Sequence, residues 1–137
     1  MSTKKMRCGV AAVAALRAAG VSKVFGLMGS STLEMYDALY DVKKEIEYIG
    51  VRHENCGMHM ADAYGRMTQT PGTFICGQAG PGSANMVLGL AQAKFAYSPV
   101  VAITGRPTGW SAPLALAWPV AAIVAENGAV LLRRQGG

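Results

Sequence analysis

Short apolar segments alternate with segments of helical pattern along this chain, and this alternation restricts its fold more than any other feature. Parallel neighbouring strands need a crossover between them, and such crossovers are usually helical. The pattern therefore predicts a doubly wound α/β fold, in which a parallel sheet has helices on both faces. The predicted strands are residues 21–26, 46–51, 73–76 and 100–104, and the predicted helices are residues 8–19, 32–41, 55–67 and 83–97.

Small or titratable residues follow each predicted strand. Glycine and serine occur in residues 26–31, an Arg-His-Glu run in residues 52–54, a glycine-rich turn in residues 77–82, and Gly-Arg-Pro in residues 105–107. In doubly wound sheets, ligands bind outside the carboxyl ends of the strands. We therefore expect one functional site at this edge of the sheet.

Glu54 lies where the second predicted strand passes into the third predicted helix. A carboxylate in the first turn of a helix is stabilised by roughly 0.3–1 kcal/mol, so one interpretation is that Glu54 only stabilises its helix. The other interpretation is a functional acid, because Glu54 is accompanied by glycine-rich turns. The sequence contains no serine nucleophile elbow and no separated pair of acids, which favours chemistry carried by a cofactor.

The sequence G-P-G-S-A-N at residues 80–85 precedes or opens the fourth predicted helix. Free backbone N–H groups at a helix start suit an anion, so a mononucleotide-binding domain is one hypothesis. The segment is neither a Walker loop nor a G-x-G-x-x-G fingerprint, and no lysine follows it as a phosphate ligand. A tight strand-to-helix turn capped by Ser83 explains the spacing equally well. Ser30 or Ser31 similarly fits the cap of the second helix, and Glu34 lies three residues after Ser31, as in a capping box.

His53, Cys56 and His59 have side chains that bind metals in other proteins. His53 and His59 are six residues apart, which turns them away from each other on a helix. No second pair of ligands follows at zinc spacing. The sequence therefore predicts no metal site in this chain.

The chain has 137 residues, enough for one domain with a core. Its composition is 51% hydrophobic and only 15% charged, which indicates that some apolar surface faces a partner. The net charge of +5 is spread out and forms no basic stripe, so nucleic-acid binding is not expected. No apolar run reaches the length of about 18 residues that spans a membrane. Three cysteines without framework spacing fit reduced thiols, so we expect a cytoplasmic protein.

Five motifs in register resemble the N-terminal pyrimidine-binding domain of thiamine-diphosphate-dependent enzymes, especially the acetolactate synthase and benzoylformate decarboxylase group. The resemblance runs from about residue 8 to residue 107. Because the motifs occur in the family's order, together they are specific, although each alone would be weak. They are G-V-x-x-V-F-G-L-M-G-S at 20–30, V-R-H-E-N at 51–55, M-A-D-A-Y-G-R-M-T at 60–68, G-P-G-S-A-N at 80–85 and P-V-V-A-I-T-G at 99–105.

The resemblance implies a role for each motif. Glu54 matches the glutamate that hydrogen-bonds N1′ of the aminopyrimidine ring and thereby promotes loss of the proton from the thiazolium C2. Gly80, Pro81 and Asn85 match the turn that packs against the pyrimidine. Gly29 and Ser30 match a loop beside the substrate. In relatives, the diphosphate and its Mg²⁺ are held by a separate diphosphate-binding (PP) domain, and some relatives also use FAD, for which this chain shows no support.

The resemblance therefore implies half of the active site of a 2-oxo-acid decarboxylase or carboligase, inactive without a PP domain or subunit and functioning in a homo- or hetero-oligomer. The alternative is a catalytically inactive fragment that acts only as a dimerising interaction domain. Residues 1–107 form the recognisable domain, whereas residues 108–137 are an unassigned apolar tail that lacks the family's F-Q-E segment. A truncated or frame-shifted gene and a separately encoded partner both explain that departure.

Overall fold

The structure is a computed structural model that describes residues 7–78 and 80–105. Its strands and helices alternate as the sequence predicts. The order is α1 (Cys8–Ala18), β1 (Lys23–Leu27), a 3-10 turn (Ser30–Thr32), α2 (Leu33–Asp41), β2 (Glu47–Gly50), α3 (Glu54–Thr68), β3 (Gly72–Cys76), α4 (Pro81–Asn85), α5 (Val87–Phe95) and β4 (Val100–Thr104).

The strands form one parallel sheet in the order β2-β1-β3-β4. The chain moves from β1 outward to β2, and then crosses back over β1 to β3. The direction of winding therefore reverses between β1 and β3. In folds of this type, ligands bind at the carboxyl ends of the two strands that flank this reversal.

Alternate side chains of each strand enter two separate cores, one on each face of the sheet. Phe74 belongs to the core under α3 and α5, whereas its neighbour Ile75 belongs to the core under α1 and α2. Ala102 and Ile103 in β4 divide between the two cores in the same way. Helices therefore cover both faces, and the prediction of a doubly wound parallel sheet is confirmed.

Helix α3 packs closely on β3 because small residues line its inner face. A Cβ added at Gly57 would lie 2.4 Å from the Phe74 ring, and one added at Gly72 would lie 1.8 Å from the Ala61 carbonyl oxygen. Neither position has room for a side chain. This close packing fixes the start of α3 relative to the end of β3.

Several predicted boundaries differ from the observed ones. The predicted helix over residues 83–97 is two helices, α4 and α5, separated by Met86, which is buried in the core under α3. The N-cap of α2 is Thr32 rather than Ser31, because residues 30–32 first form a 3-10 turn. The Thr32 hydroxyl donates to the Cys76 carbonyl oxygen at 3.4 Å, which ties α2 to the end of β3.

No helix in the part of the chain that the structure describes is long and apolar enough to cross a membrane.

The close packing of α3 on β3 predicts that Gly72→Ala lowers the free energy of unfolding by about 1–3 kcal/mol, as overpacking of a core typically does. Urea denaturation monitored by circular dichroism measures this change. Gly50→Ala is the matched control, because the nearest atom to a Cβ at Gly50 in edge strand β2 is 3.7 Å away. Equal effects of the two substitutions would contradict the packing described for α3.

Candidate functional site

Two turns at the carboxyl edge of the sheet pack directly against each other. The main-chain N–H of Ser31 donates to the Gly77 carbonyl oxygen at 3.0 Å. The Ser30 hydroxyl donates to Oε1 of Gln78 at 3.4 Å. A Cβ added at Gly29 would lie 2.5 Å from the Gly77 carbonyl oxygen, so this approach requires glycine. The turn after β1, with the predicted substrate-side residues Gly29 and Ser30, therefore meets the turn after β3.

Glu54 is the first residue of α3 and is only 7% exposed. The preceding residue, His53, is the N-cap, and its Nδ1 accepts a hydrogen bond from the Asn55 main-chain N–H at 3.2 Å. Just before the cap, the Val51 N–H donates to the Gly26 carbonyl oxygen at 2.9 Å, which keeps the chain aligned with β1. The strand end and the cap together direct Glu54 towards the interior. The predicted position of Glu54 between a strand and a helix is thus confirmed.

Helix α4, which follows β3, contacts the carboxylate of Glu54 through two of its residues. Nδ2 of Asn85 donates to Oε2 at 3.0 Å. A Cβ added at Gly82 would lie 2.9 Å from Oε1, so the absence of a side chain there permits the close approach. The structure therefore brings Glu54 and Asn85 together, although they are 31 residues apart in the chain.

The carboxylate of Glu54 has no cationic partner in the described part of the chain. The ion pairs found in residues 7–78 and 80–105 all involve other acids. Within the same residues, Oε1 accepts no hydrogen bond, whereas Oε2 accepts the bond from Asn85. Glu54 therefore combines burial with an acceptor oxygen that remains available to a ligand.

Helix α4 begins at Pro81, two residues before the predicted start at Ser83. Gly80 is the N-cap of α4 with φ 74°, a left-handed conformation that favours glycine, and Pro81 follows at the first helical position. Both residues are exposed at the mouth of the site. The predicted Ser83 cap is wrong, because Ser83 lies inside α4 and its hydroxyl hydrogen-bonds that of Thr104 instead.

The proximity of Cys76 to Glu54 is not predicted from the sequence, in which the three cysteines indicate only reduced thiols. The Cys76 thiol is fully buried at the end of β3 and donates to the Gln78 carbonyl oxygen at 3.1 Å. Burial raises the pKa of this thiol, and the negative charge of Glu54 raises the pKa further, so the thiol stays neutral. The sequence feature that could have indicated this proximity is the position of Cys76 as the last residue of a strand before a glycine-rich turn.

The histidines of the discounted metal motif contact the backbone. His53 accepts from the Asn55 N–H, and Nδ1 of His59 lies 2.8 Å from the Asn55 carbonyl oxygen. The described residues contain no group of three or more His, Cys, Asp or Glu side chains that could hold a metal ion.

These features agree with the comparison of the chain with known protein families. The family described as thiamine pyrophosphate (TPP) enzyme, N-terminal TPP-binding domain, matches residues 6–127. The chain belongs to this family. Thiamine pyrophosphate is the same compound as thiamine diphosphate, so the resemblance inferred from the five motifs is confirmed.

Similar TPP-binding domains occur in acetolactate synthases. The large subunit from Parasynechococcus marenigrum is 45% identical over 94 residues, which cover 67% of this chain and 15% of that protein. The isozyme 2 large subunit from Escherichia coli is 45% identical over 94 residues, or 69% of this chain and 17% of that protein. A probable large subunit from Methanocaldococcus jannaschii is 40% identical over 101 residues, or 74% and 17%. The chain therefore spans less than one fifth of these relatives.

The family match to this TPP-binding domain extends past residue 107, the predicted domain boundary. Residues 106–137 lie outside the described residues, so the division into residues 1–107 and an unassigned tail at 108–137 stays a prediction.

The hydrogen bond to Glu54 predicts that Asn85→Ala lowers the free energy of unfolding by about 1 kcal/mol, because a buried carboxylate loses a donor. Gln92→Ala is the control, since Gln92 is an exposed amide of α5 with no hydrogen bond to its side chain among the described residues. Urea denaturation at neutral pH compares the two variants. A smaller loss for Asn85→Ala than for Gln92→Ala would contradict the assigned contact.

Proposed function

We propose that this chain supplies the aminopyrimidine-binding half-site of a TPP-dependent 2-oxo-acid decarboxylase or carboligase of the acetolactate synthase type. Membership of the TPP family supports the use of this cofactor. The observation that carries the role of Glu54 is its buried carboxylate, which has no ion pair and one available acceptor oxygen within the described residues. Such a group is suited to share a proton with a ring nitrogen.

The residues around Glu54 fit an aminopyrimidine. Oε1 supplies the acceptor, and the absence of a side chain at Gly82 lets the backbone of α4 lie close to it, since an added Cβ would be 2.9 Å from Oε1. Gly80 and Pro81 form an exposed, largely apolar rim on which a flat ring would rest. Asn85 holds Oε2 and so fixes which oxygen faces the ring. Gly29 and Ser30, on the neighbouring turn, would lie on the substrate side.

When bound, the cofactor supplies a carbon nucleophile for the carbonyl group of a 2-oxo acid. The protein's own contribution is to hold and move a proton at Oε1 of Glu54. Glu54 is only 7% exposed, and its low-dielectric surroundings strengthen the hydrogen bonds that its carboxylate makes. The amide of Asn85 keeps the carboxylate in one orientation, so little reorganisation is needed when the proton moves.

A partner domain is needed to complete the site. The described residues hold no cluster of acids for Mg²⁺, so we assign the diphosphate and its metal to a PP domain or subunit. The adjacent helices α3 and α5 expose Met60, Leu88 and Phe95, which are 41%, 67% and 84% accessible. Apolar side chains exposed together on adjacent helices suit a protein partner. The acetolactate synthases that match the chain are several times longer, which supports further domains in a homo- or hetero-oligomer.

The same exposed surface also supports the second candidate, a catalytically inactive domain that dimerises through α3 and α5. Isothermal titration calorimetry with TPP and Mg²⁺ separates the two functions. We expect no binding to the isolated chain, but binding to a chimera in which the chain replaces the matched region of the Escherichia coli isozyme 2 large subunit. A correctly folded chimera that does not bind TPP would favour the inactive domain. If a mononucleotide titrated in place of TPP bound instead, an anion site at residues 80–85 would be favoured.

The role proposed for Glu54 predicts that Glu54→Gln slows hydrogen exchange at the thiazolium C2 of bound TPP by about 100-fold or more, since the amide cannot take up the proton. Nuclear magnetic resonance of the chimera measures this rate. Glu47→Gln is the control, because Glu47 is an exposed acid paired with Lys23 at the opposite edge of the sheet. Unchanged exchange in a folded Glu54→Gln chimera would remove the assignment.

A further inference from the structure

Three neutral polar side chains lie where β3 and β4 end beside α4, and the proposed function uses none of them. Cys76 and Thr104 are paired residues at the ends of β3 and β4, and both are buried. Ser83 lies in α4, and its hydroxyl hydrogen-bonds the Thr104 hydroxyl. Burial raises the pKa of the Cys76 thiol, and the Thr104 and Ser83 hydroxyls offset part of that increase. Cys76 therefore joins the sheet end, α4 and the Glu54 site.

The Cys76 thiol lies close to the backbone at two positions, Gln78 after β3 and Gly82 in α4, the helix that contains Asn85. Sγ donates to the Gln78 carbonyl oxygen at 3.1 Å, which pins the chain where it leaves β3. A Cβ added at Gly82 would lie 2.8 Å from Sγ and 2.9 Å from Oε1 of Glu54. The thiol and the carboxylate therefore both lie close to Gly82, and a side chain there would clash with both.

The surroundings of the thiol contain a single carboxylate and no cation among the described residues. Glu54 approaches from α3, and the phenol of Tyr36 interacts from α2. Burial raises the pKa values of both the thiol and the phenol, so both are uncharged at neutral pH. A neutral thiol can hold the turn in place without forming an ion pair with the carboxylate.

We propose that Cys76 is a positioning residue for Glu54, whose bond to Gln78 and contact with Gly82 place the Asn85 amide on the carboxylate. The effect of this positioning on catalysis rests on the proposed function of Glu54. The placement of Asn85 does not depend on TPP, and it can be measured on the full chain without any ligand.

Three substitutions separate the hydrogen bond of Cys76 from its volume. Cys76→Ser keeps a donor for the Gln78 carbonyl oxygen. Cys76→Val keeps a similar volume but cannot donate, and Cys76→Ala loses both properties. Two variants without a donor are used so that one folded protein remains if the other fails to fold.

The experiment measures hydrogen exchange of the side-chain amide of Asn85 by nuclear magnetic resonance in each variant. We expect exchange roughly tenfold faster in Cys76→Val and Cys76→Ala, the change for losing a bond to a charged acceptor, and a rate within about twofold of the parent in Cys76→Ser. The internal control is the Gln69 amide, which donates to the Arg66 carbonyl oxygen at 2.7 Å at the far end of α3.

Faster exchange confined to Asn85 supports a positioning role. An unchanged Asn85 rate in the variants without a donor would overturn the proposal, as would an equal change at Gln69, which indicates general loosening of the fold. Hydrogen exchange at the thiazolium C2 in the chimera then distinguishes this proposal from the function it rests on. If Glu54→Gln stops that exchange and Cys76→Val leaves it unchanged, only the role of Cys76 is wrong. If Glu54→Gln has no effect while Asn85 responds to Cys76, the proposed function is wrong.

Discussion

The burial of one carboxylate, that of Glu54, constrains the rest of this structure. Removing a charged group from water is unfavourable unless hydrogen bonds replace the lost hydration. The start of α3 provides favourable electrostatics, and the Asn85 amide provides a donor at 3.0 Å. Both depend on the sheet, because β2 aligns the start of α3 with β1, and β3 leads into α4, the helix that contains Asn85. The parallel register of the strands therefore sets the geometry around the Glu54 carboxylate.

Close approaches of the backbone make that geometry possible. Gly29 meets Gly77 where the turns after β1 and β3 touch, and Gly82 meets both the Cys76 thiol and Glu54. A side chain at any of these positions would separate elements that must remain in contact. The side chains identified beside the carboxylate, the Cys76 thiol and the Asn85 amide, are uncharged. A cation there would pair with Glu54 and favour its charged form.

Both faces of the sheet expose large apolar side chains. On the face covered by α1 and α2, Leu33 and Tyr40 are exposed, and Arg17 pairs with Glu45. On the face covered by α3 and α5, the helices leave large apolar side chains such as Leu88 and Phe95 exposed. Glu54 begins α3 at this second face. The exposed apolar side chains of α5 and the buried carboxylate at the start of α3 therefore belong to the same face of the sheet.

The sequence by itself determined the order of strands and helices, the parallel sheet and the position of Glu54 at a helix start, because periodicity and turn residues act locally. It also indicated the family, since the five motifs occur in order. Only the tertiary structure decided that Asn85 holds Glu54, that Ser83 pairs with Thr104 rather than capping a helix, and that Cys76 lies beside the carboxylate. These contacts join residues distant in the chain, and they depend on the register of the strands and the packing of the helices, which no local pattern specifies.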